Sequence, residues 1–340
     1  MNDGIALKIV RHAVSLSYER CGIIRLDAMR GYALEVEKRA RRFPESAESI
    51  SRFPFLADPR EKYPWASSVV ICSQRYGNYR IPKNLDGLIG KSYLCDERKD
   101  AMSDGYRDRR RLERYMTDEL GLRTTPSDDL FVTALRWAAV TAGLGAVRRN
   151  NFFYGDRGSY YTLSAFLIDR DIEYIHETEG TPCPDDCNRC VKSCPAGSLA
   201  EPYAMNRVAC VSHLTTWDFG ADVYGRYGEE LGNWIYGCDV CQDVCPFNRN
   251  QLSGEVEFPG LDELAREISP ESVIAADYRS LRDLVAKKFW YIKPEDLWKW
   301  KCSAINAIKN LRGKGRLDAV KPALHDEDER VRAMAGDVLS

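Results

Sequence analysis

The chain has 340 residues, of which 44% are hydrophobic and 29% are charged, and its formal net charge is −2 at pH 7. This length allows two or three structural units and excludes a minimal ferredoxin. The balanced charge gives no general sign of a nucleic-acid-binding protein. No stretch reaches the roughly 18 consecutive apolar residues of a membrane-spanning helix, and the first residues lack signal-peptide features. We therefore expect a cytoplasmic protein without a membrane partner.

The first 175 residues predict a mixed α/β domain. Apolar residues recur at helical spacing over 5–20 and 28–42, a buried strand is indicated at 67–73, and a charged helix at 107–120. Pro126 and Ser127 predict the start of a helix that ends at Gly143. A polar loop at 148–151 then leads to a strand through 163–168.

The last 85 residues predict helices. Three helical patterns cover 296–311, 317–324 and 329–339, with a glycine-containing turn at 312–316. Their arrangement resembles one to two HEAT-type repeats. Because this region is too short for an independent solenoid, we expect it to pack on the preceding domain.

Eight of the twelve cysteines fall within 63 residues, which indicates metal binding rather than the spread disulfides of a secreted scaffold. The remaining four, Cys21, Cys72, Cys95 and Cys302, are interpreted as small packing residues. The eight candidate ligands are Cys183, Cys187, Cys190, Cys194, Cys210, Cys238, Cys241 and Cys245.

The spacing of these cysteines predicts two 4Fe–4S clusters. The pattern C-x2-C-x3-C-P of bacterial ferredoxins occurs twice, ending at Pro195 and Pro246, and in such runs the last cysteine reaches the other cluster. Zinc is the alternative, since C-x2-C pairs also form S4 sites. The predicted partition places Cys183, Cys187, Cys190 and Cys245 on one cluster and Cys194, Cys210, Cys238 and Cys241 on the other. Cys183 departs from the pattern, because three residues separate it from Cys187.

Basic residues cluster at 39–42, 107–111 and 309–316. Acidic residues alternate with the first two clusters, which favours solvated helix faces. The third cluster contains fewer acids and could contact a phosphate backbone.

Several segments resemble the epoxyqueuosine reductase family. The segment 233–248 resembles the second cluster motif of that family, and 194–199 and 210–215 resemble two further motifs. The residues at 142–145, together with Asn150 and 158–160, fall where the family carries its cobalamin-domain signature. The resemblance extends over most of the chain.

This resemblance implies an α+β fold in three parts: a nitroreductase-like cobalamin- and substrate-binding domain over 1–175, a ferredoxin-like domain over 176–255, and a helical HEAT-like region over 256–340. The implied activity is the cobalamin-dependent reduction of epoxyqueuosine to queuosine in tRNA. The implied cofactors are two 4Fe–4S clusters and cobalamin, and the clusters would feed electrons to cobalt. We also expect a reduced ferredoxin or flavodoxin as donor, tRNA as a candidate partner, and a monomer.

The family also implies a proton-donating aspartate, and its spacing from Gly143 points to Asp129, beside Asp128. An alternative role for Asp129 is a carboxylate in the first turn of a helix, stabilised by the macrodipole. The candidate cofactor-binding residues are Arg60, Asn150, Gly158, Ser159, Tyr160, Ser212 and His213.

The chain departs from the family near the expected active site. Ala146, Val147, Arg148 and Arg149 replace a tryptophan–isoleucine–glycine–lysine run, and Val132 and Leu135 replace a proline and a glutamate. The aromatic residues of 288–301 are interpreted as packing, or alternatively as a stacking surface for a base. Two other functions therefore stay open: a related corrinoid reductase with a small organic substrate, as in reductive dehalogenases, and an electron carrier without its own catalysis.

Overall fold

The computed structural model describes residues 2–177, 180–217, 222–252, 254–286, 288–311 and 316–340. The central sheet has three antiparallel strands in the order β1-β2-β6, with β2 in the middle. Two pairs of short strands lie outside it, β3 with β7 and β4 with β5. The strands are β1 (Arg20–Arg25), β2 (Ser68–Arg75), β3 (Tyr79–Arg80), β4 (Ala146–Val147), β5 (Phe153–Tyr154), β6 (Tyr161–Ile168) and β7 (Val256–Glu257).

Fifteen α-helices surround the sheet or follow it in the described residues. None of these has the length and apolar character that a membrane-crossing helix requires. They are α1 (Asn2–Ser15), α2 (Arg30–Arg42), α3 (Ala47–Ser51), α4 (Lys91–Leu94), α5 (Asp104–Arg114), α6 (Leu135–Thr141), α7 (Arg189–Ser193), α8 (Val211–Thr216), α9 (Val223–Leu231), α10 (Val240–Asp243), α11 (Leu261–Glu267), α12 (Pro270–Ala275), α13 (Tyr278–Ala286), α14 (Trp298–Asn310) and α15 (Glu329–Leu339).

Strand β2 is buried on both faces because helices cover the sheet from both sides. Val70 and Cys72 pack with residues of α1 and α5, whereas Val69 and Ile71 pack with residues of α6. This split follows from the two-residue repeat of a strand, which sends successive side chains to opposite faces. The result is a mixed α/β architecture with a layer of helices on each side of an antiparallel sheet.

The helix expected from Pro126 begins nine residues later, at Leu135. The backbone of Ser127 is engaged elsewhere: its N–H donates to Glu113 at 3.0 Å, and its carbonyl accepts from Arg109 at 2.7 Å. Residues 126–134 therefore form an irregular loop, and Asp129 does not lie in the first turn of a helix. The macrodipole role suggested for it is wrong.

The helices and strands expected at 5–20, 28–42, 67–73, 107–120 and 163–168 are present with shifted ends. The pattern at 317–324 forms a 3-10 helix, Arg316–His325, with Pro322 inside it. Because proline lacks the N–H of an α-helical hydrogen bond, it disfavours an ordinary α-helix here. The turn expected at 312–316, with half of the third basic cluster, lies largely outside the described residues.

The largest hydrophobic core joins residues from all three expected parts of the chain. Trp300 on α14 is fully buried and packs against Tyr236, between the cysteine motifs, and against Phe289. Leu85 and Ile89, from the first part, belong to the same core. The C-terminal helices therefore pack on the preceding residues, as their short length predicted.

Candidate metal centres and the adjoining cavity

The structure gathers the eight cysteines into two groups of four. Each group faces a cavity, and membership matches the partition predicted from the spacing. The first group lines a small cavity and the second lines a cavity of about 320 Å³. The first group is Cys183, Cys187, Cys190 and Cys245, and the second group is Cys194, Cys210, Cys238 and Cys241.

The exchange of cysteines between the motifs follows from the two Cys-Pro steps. Cys194 ends α7 with φ −65° and ψ 113°, and Cys245 follows α10 with φ −76° and ψ 123°. Both conformations are extended because the proline that follows disfavours the helical region for the preceding residue. At each of these cysteines the chain thus turns away from the preceding helix, and the cysteine lines the cavity of the other motif.

The chemistry of the thiols fits iron–sulfur clusters. Burial raises the pKa of Cys190, Cys210, Cys238 and Cys241, and the neighbouring cysteines of the same group raise it further. Such thiols resist ionisation unless a cation stabilises the thiolate, which iron does. Among the described residues, no three His, Cys, Asp or Glu side chains are arranged to hold one metal ion between them, and this includes the cysteines of the two groups.

Asn150 lies between the two groups and lines both of their cavities. Its side-chain amide donates to the carbonyl of Cys241 at 3.0 Å and to the hydroxyl of Tyr154 at 2.9 Å. The amide thereby ties the loop before β5 to the second cysteine motif. Of the residues predicted to bind a cofactor, Asn150 is the one that the structure places closest to both metal centres.

Ser159 and Tyr160 connect the start of β6 to α10 and the turn after it. The hydroxyl of Ser159 lies 2.8 Å from Gln242, its N–H donates to Asn248 at 2.8 Å, and the hydroxyl of Tyr160 donates to Asp243 at 3.3 Å. Only Ser159 of these two lines the large cavity described below. Tyr160 is buried and serves the packing of the cluster motif.

Ser212 and His213 on α8 line the cavity of the second cysteine group. The hydroxyl of Ser212 lies 3.2 Å from that of Tyr93, and the Nδ1 atom of His213 accepts from Arg207 at 3.3 Å. Both residues therefore lie beside the second metal centre.

Gly158 and Arg60 are not among the described residues that line the two cysteine cavities. Gly158, with φ +80°, lines a polar cavity of about 210 Å³ that adjoins the cavity of the first cysteine group through Arg148, Tyr154 and Phe247. Arg60 pairs with Asp27 at 3.2 Å and donates to the carbonyl of Ala66. Neither residue is among the described residues that line the large cavity.

A cavity of about 660 Å³ lies between the sheet, α6 and the second cysteine group. Its volume is within the range of ordinary cofactor and ligand sites. Five of its lining residues also line the cavity of the second group, so the two spaces adjoin. These shared residues are Tyr93, Arg136, Phe152, Arg207 and Trp217.

Aromatic side chains form one rim of the large cavity. Phe131 stacks on Phe53 with a centroid distance of 6.2 Å and makes edge contacts with Trp217 at 6.3 Å and Trp290 at 6.2 Å. Tyr291 completes this rim against Trp217 at 5.3 Å. The aromatic residues of 288–301 therefore have two different roles. Trp290 and Tyr291 lie at the rim, whereas Trp300 belongs to the hydrophobic core.

Asp129 lies beside the large cavity but does not line it. Its carboxylate accepts from the ammonium of Lys62 at 2.6 Å, from the hydroxyl of Tyr63, and from the N–H of Phe131 at 3.2 Å. Burial opposes ionisation, but these hydrogen bonds hold the pKa of Asp129 below its usual value. Asp128 is exposed.

Sequence reasoning missed several residues of this region. Tyr93, Arg136 and Trp217 join the two cavities, and Lys91 is buried in ion pairs with Asp239 and other carboxylates behind the second motif. No local spacing marks these residues, because they come from distant segments. The aromatic residues of 288–301 were the sequence signal for the rim, since they include Trp290 and Tyr291.

Comparison with known proteins identifies residues 183–248 as a 4Fe-4S double cluster binding domain. The curated relatives include the epoxyqueuosine reductase of Cellulophaga algicola, which is 27% identical over 254 residues, covering 71% of this chain and 78% of that protein. The Escherichia coli epoxyqueuosine reductase is 36% identical over 129 residues, covering 35% of this chain and 31% of that protein. The resemblance noted from the motifs is confirmed by these relatives.

Solved structures of epoxyqueuosine reductases have the same fold. One, bound to an epoxyqueuosine-modified tRNA-Tyr stem loop, superimposes with a TM-score of 0.78 at 20% identity, covering 100% of this chain and 90% of that chain. The Bacillus subtilis protein, described with its catalytic aspartate loop swung out of the active site, gives a TM-score of 0.76 at 20% identity and covers 99% and 90%.

Proposed function

We propose that the chain is a cytoplasmic, cobalamin- and iron–sulfur-dependent reductase that converts epoxyqueuosine in tRNA to queuosine. The observation that carries this proposal is that the cavity of the second cysteine group adjoins the large cavity through five shared residues. Electrons that reach the second group then have a short path to a molecule bound in the large cavity. Removal of an epoxide oxygen as water takes two electrons and two protons, so the site has to supply both.

The large cavity fits a flat, amide-bearing cofactor. Leu135, Tyr161 and Leu163 give it apolar walls, and Arg136 and Arg207 lie where it meets the second metal centre. Asn151, a residue only 4% exposed, lines this space, and its buried side-chain nitrogen has no hydrogen-bond partner among the described residues. A buried donor of this kind is satisfied by an acceptor on a bound group.

Cobalamin bound there would supply cobalt as the immediate source of electrons, while the protein orients the substrate and supplies protons. Asn151 and Ser159 would hold polar groups of the corrin periphery. Asp129 is the nearest carboxyl group on the loop that borders the cavity, and we assign to it the role of general acid. Arg60 and Gly158 would have no direct contact with a cofactor in this position.

The two cysteine groups divide the transfer of electrons between them. The chain around the first group is exposed at Pro184, Asp185, Asp186 and Arg189, whereas the residues on either side of Cys210 and Cys238 in the second group are buried. We propose that a reduced ferredoxin or flavodoxin delivers electrons at the first group, and that the second group passes them on. The protein would act as a monomer on the tRNA.

The finer parts of the fold belong to the same proposal. The helices on both sides of the antiparallel sheet support a nitroreductase-like arrangement of the first domain. The packing of α14 and α15 in one hydrophobic core supports a HEAT-like C-terminal region, in which the 3-10 helix at Arg316–His325 replaces one α-helix.

A related reductase with a small organic substrate is the second candidate, and the departures from the family motifs favoured it. Arg149 bonds Asn188 and the carbonyl of Asp185, and Arg148 stacks on Phe247. Both arginines therefore support the first cysteine group, and neither is among the described residues that line the large cavity. Their presence changes the surroundings of a cluster, whereas Val147 and Leu135, two further departures from the family motifs, line the large cavity and are the observation that favours a changed substrate.

Anaerobic reconstitution tests the proposal. The purified protein should hold about eight irons, as expected for two cubane clusters, and should bind one cobalamin with a change in the corrin absorption spectrum. With dithionite-reduced flavodoxin, it should convert epoxyqueuosine in an anticodon stem loop to queuosine.

Normal iron loading without corrin binding would eliminate both reductases and leave an electron carrier. Corrin binding with activity on a small epoxide or organohalide, but none on the stem loop, would favour the second candidate. Arg136→Met, at the junction of the cavities, should weaken corrin binding while the iron content stays normal.

A further inference from the structure

The carboxylate of Asp129 is held by two side chains that are not among the described residues lining the large cavity. Lys62 and Tyr63, which follow the 3-10 turn Pro59–Glu61, both donate to its Oδ2 atom. The ammonium of Lys62 also lies 5.4 Å from the ring centroid of Phe55 and 5.1 Å from that of Tyr63. The lysine is thus positioned by two aromatic faces as well as by the carboxylate.

The next two residues of the loop face the large cavity. Leu130 and Phe131 line the large cavity, and Phe131 contacts the aromatic rim through Trp217 and Trp290. Asp129 is instead bonded to Lys62 and Tyr63, which are not among the described residues that line the cavity. Its carboxylate therefore reaches the cavity only if these bonds break and the loop changes conformation.

Few polar contacts secure this part of the loop. The N–H of Ser127 donates to Glu113 before it, and the N–H of Ala134 donates to Leu56 after it. Between them, in the described part of the chain, residues 128–132 reach other segments by hydrogen bonds only through the carboxylate of Asp129. Among the described residues, Lys62 and Tyr63 therefore make the hydrogen bonds that hold residues 128–132 to the rest of the protein.

We propose that Lys62 and Tyr63 are positioning residues that form a latch, which keeps Asp129 outside the cavity until the loop at 126–134 opens and delivers the acid to the substrate. This inference rests on the proposed function for the role of Asp129, but the latch itself is a property of the chain alone. The latched carboxylate is ionised and held outside the cavity, so it has no proton to give in this position. Release separates it from the ammonium and allows it to take up a proton in the less polar cavity.

Because the productive complex forms only with the open loop, a latch of this kind reduces the apparent affinity for substrate. When only a fraction of the molecules is open, the apparent dissociation constant rises by the reciprocal of that fraction. Weakening the latch raises the open fraction, and the apparent affinity increases by the same factor. A group that takes part in the chemistry would instead change the maximal rate.

Hydrogen exchange of the cluster-loaded protein tests the latch without any turnover. Lys62→Met and Tyr63→Phe should each speed exchange of the amides of residues 130–132, on the order of tenfold for the loss of one hydrogen bond to a charged group. Lys62→Arg should restore most of the protection because it keeps the cation. Lys321→Met is the matched control, since Lys321 is an exposed lysine paired with Asp318 at 2.5 Å far along the chain.

Asp129→Asn supplies a second line of test. If the three side chains act as one latch, combining Lys62→Met with Asp129→Asn should speed exchange little more than either change alone. Unchanged exchange in Lys62→Met, or fully additive effects in the double variant, would overturn the latch.

The kinetic test uses the epoxyqueuosine stem loop. Lys62→Met should lower KM, by up to about tenfold if the open fraction is small, with little change in kcat, whereas a fall in kcat at constant KM would assign Lys62 to the chemistry and overturn the proposal. If Lys62→Met speeds hydrogen exchange but the wild-type protein does not reduce the stem loop, the latch is supported and the proposed function is wrong.

Discussion

The backbone N–H of Lys91 donates to the Oδ2 atom of Asp239 at 2.7 Å, and the ammonium of the same lysine lies 3.5 Å from that oxygen. Both side chains are almost completely buried, at 4% and 2% exposure. The ammonium also pairs with Asp243 at 3.0 Å and with Asp86 at 2.9 Å. Although burial opposes the charge, these carboxylates raise the pKa of Lys91 above its ordinary value. One lysine of the first domain therefore fixes the motif that carries Cys238 and Cys241.

Lys91→Met should destabilise the protein by about 3–5 kcal/mol, because it leaves the buried carboxylate of Asp239 without its cationic partner. The second cysteine group should also lose iron, since Asp239 lies between its ligands. Thermal unfolding and iron analysis measure the two effects. Exposed Lys83 gives the control, and Lys83→Met should change neither.

The double variant Lys91→Met/Asp239→Asn separates charge from packing. If the unpaired carboxylate of Asp239 causes the loss of stability, this variant should be more stable than Lys91→Met alone. An equal or greater loss of stability in the double variant would show that altered packing is the cause.

The partition of the cysteines is open to a test of non-additivity. Cys183→Ser and Cys245→Ser should each leave about four irons, and so should the combination, because both residues serve one cluster. Combining Cys183→Ser with Cys194→Ser should remove nearly all iron. A double variant of Cys183 and Cys245 that loses both clusters would contradict the partition. Zinc recovered in place of iron would support the alternative metal.

Asp129→Asn should abolish turnover of the stem loop while iron content and corrin binding stay normal, because the amide has no proton to donate. Asp128→Asn is the natural control, since Asp128 is exposed and adjacent. Steady-state rates and absorption spectra of both variants provide the measurement. Full activity in Asp129→Asn would show that Asp129 is not the proton donor.

Glu97 makes the stability of the protein depend on pH. The side chain is buried, and burial raises its pKa from 4.5 to about 7 despite the hydrogen bond from Tyr79. A carboxyl group whose pKa is raised by folding stabilises the native state when it is protonated, so its contribution is lost as pH rises from about 4.5 to about 7. Between pH 6 and pH 8 the loss should be about 1.4 kcal/mol.

Glu97→Gln should remove this pH dependence, since the amide stays neutral and its oxygen still accepts from Tyr79. Thermal unfolding of the cluster-loaded protein at pH 6 and pH 8 gives the comparison. The variant should be more stable than the wild type at pH 8. The same pH-dependent difference in both proteins would show that another group is responsible.

The chemistry of the clusters could be predicted from sequence because it is local. The C-x2-C-x3-C-P spacing and the conformational effect of proline on Cys194 and Cys245 together determine which thiols share a cavity. The strands at β2 and β6 were similarly marked by continuous apolar runs. In these regions, short-range physics decides the outcome.

The surroundings of Asp129 could not be predicted in the same way. Pro126 and Ser127 have the local signals of a helix start, but the hydrogen bonds that the Ser127 backbone donates to Glu113 and accepts from Arg109 override them. Lys62 is 67 residues away from Asp129 in sequence, and Lys91 is 148 residues away from Asp239. Such pairings depend on the tertiary fold, and single-sequence patterns contain no trace of them.

The burial of Trp300 against Tyr236 also limits how the chain can be divided. The 183–248 segment resembles a portable electron-transfer module, yet Tyr236 and Ile235 within it are completed by side chains from α14 and by Leu85 and Ile89. Excised alone, the segment would present these side chains to water. Grafting the two clusters onto another enzyme would require the C-terminal helices to be transferred with them.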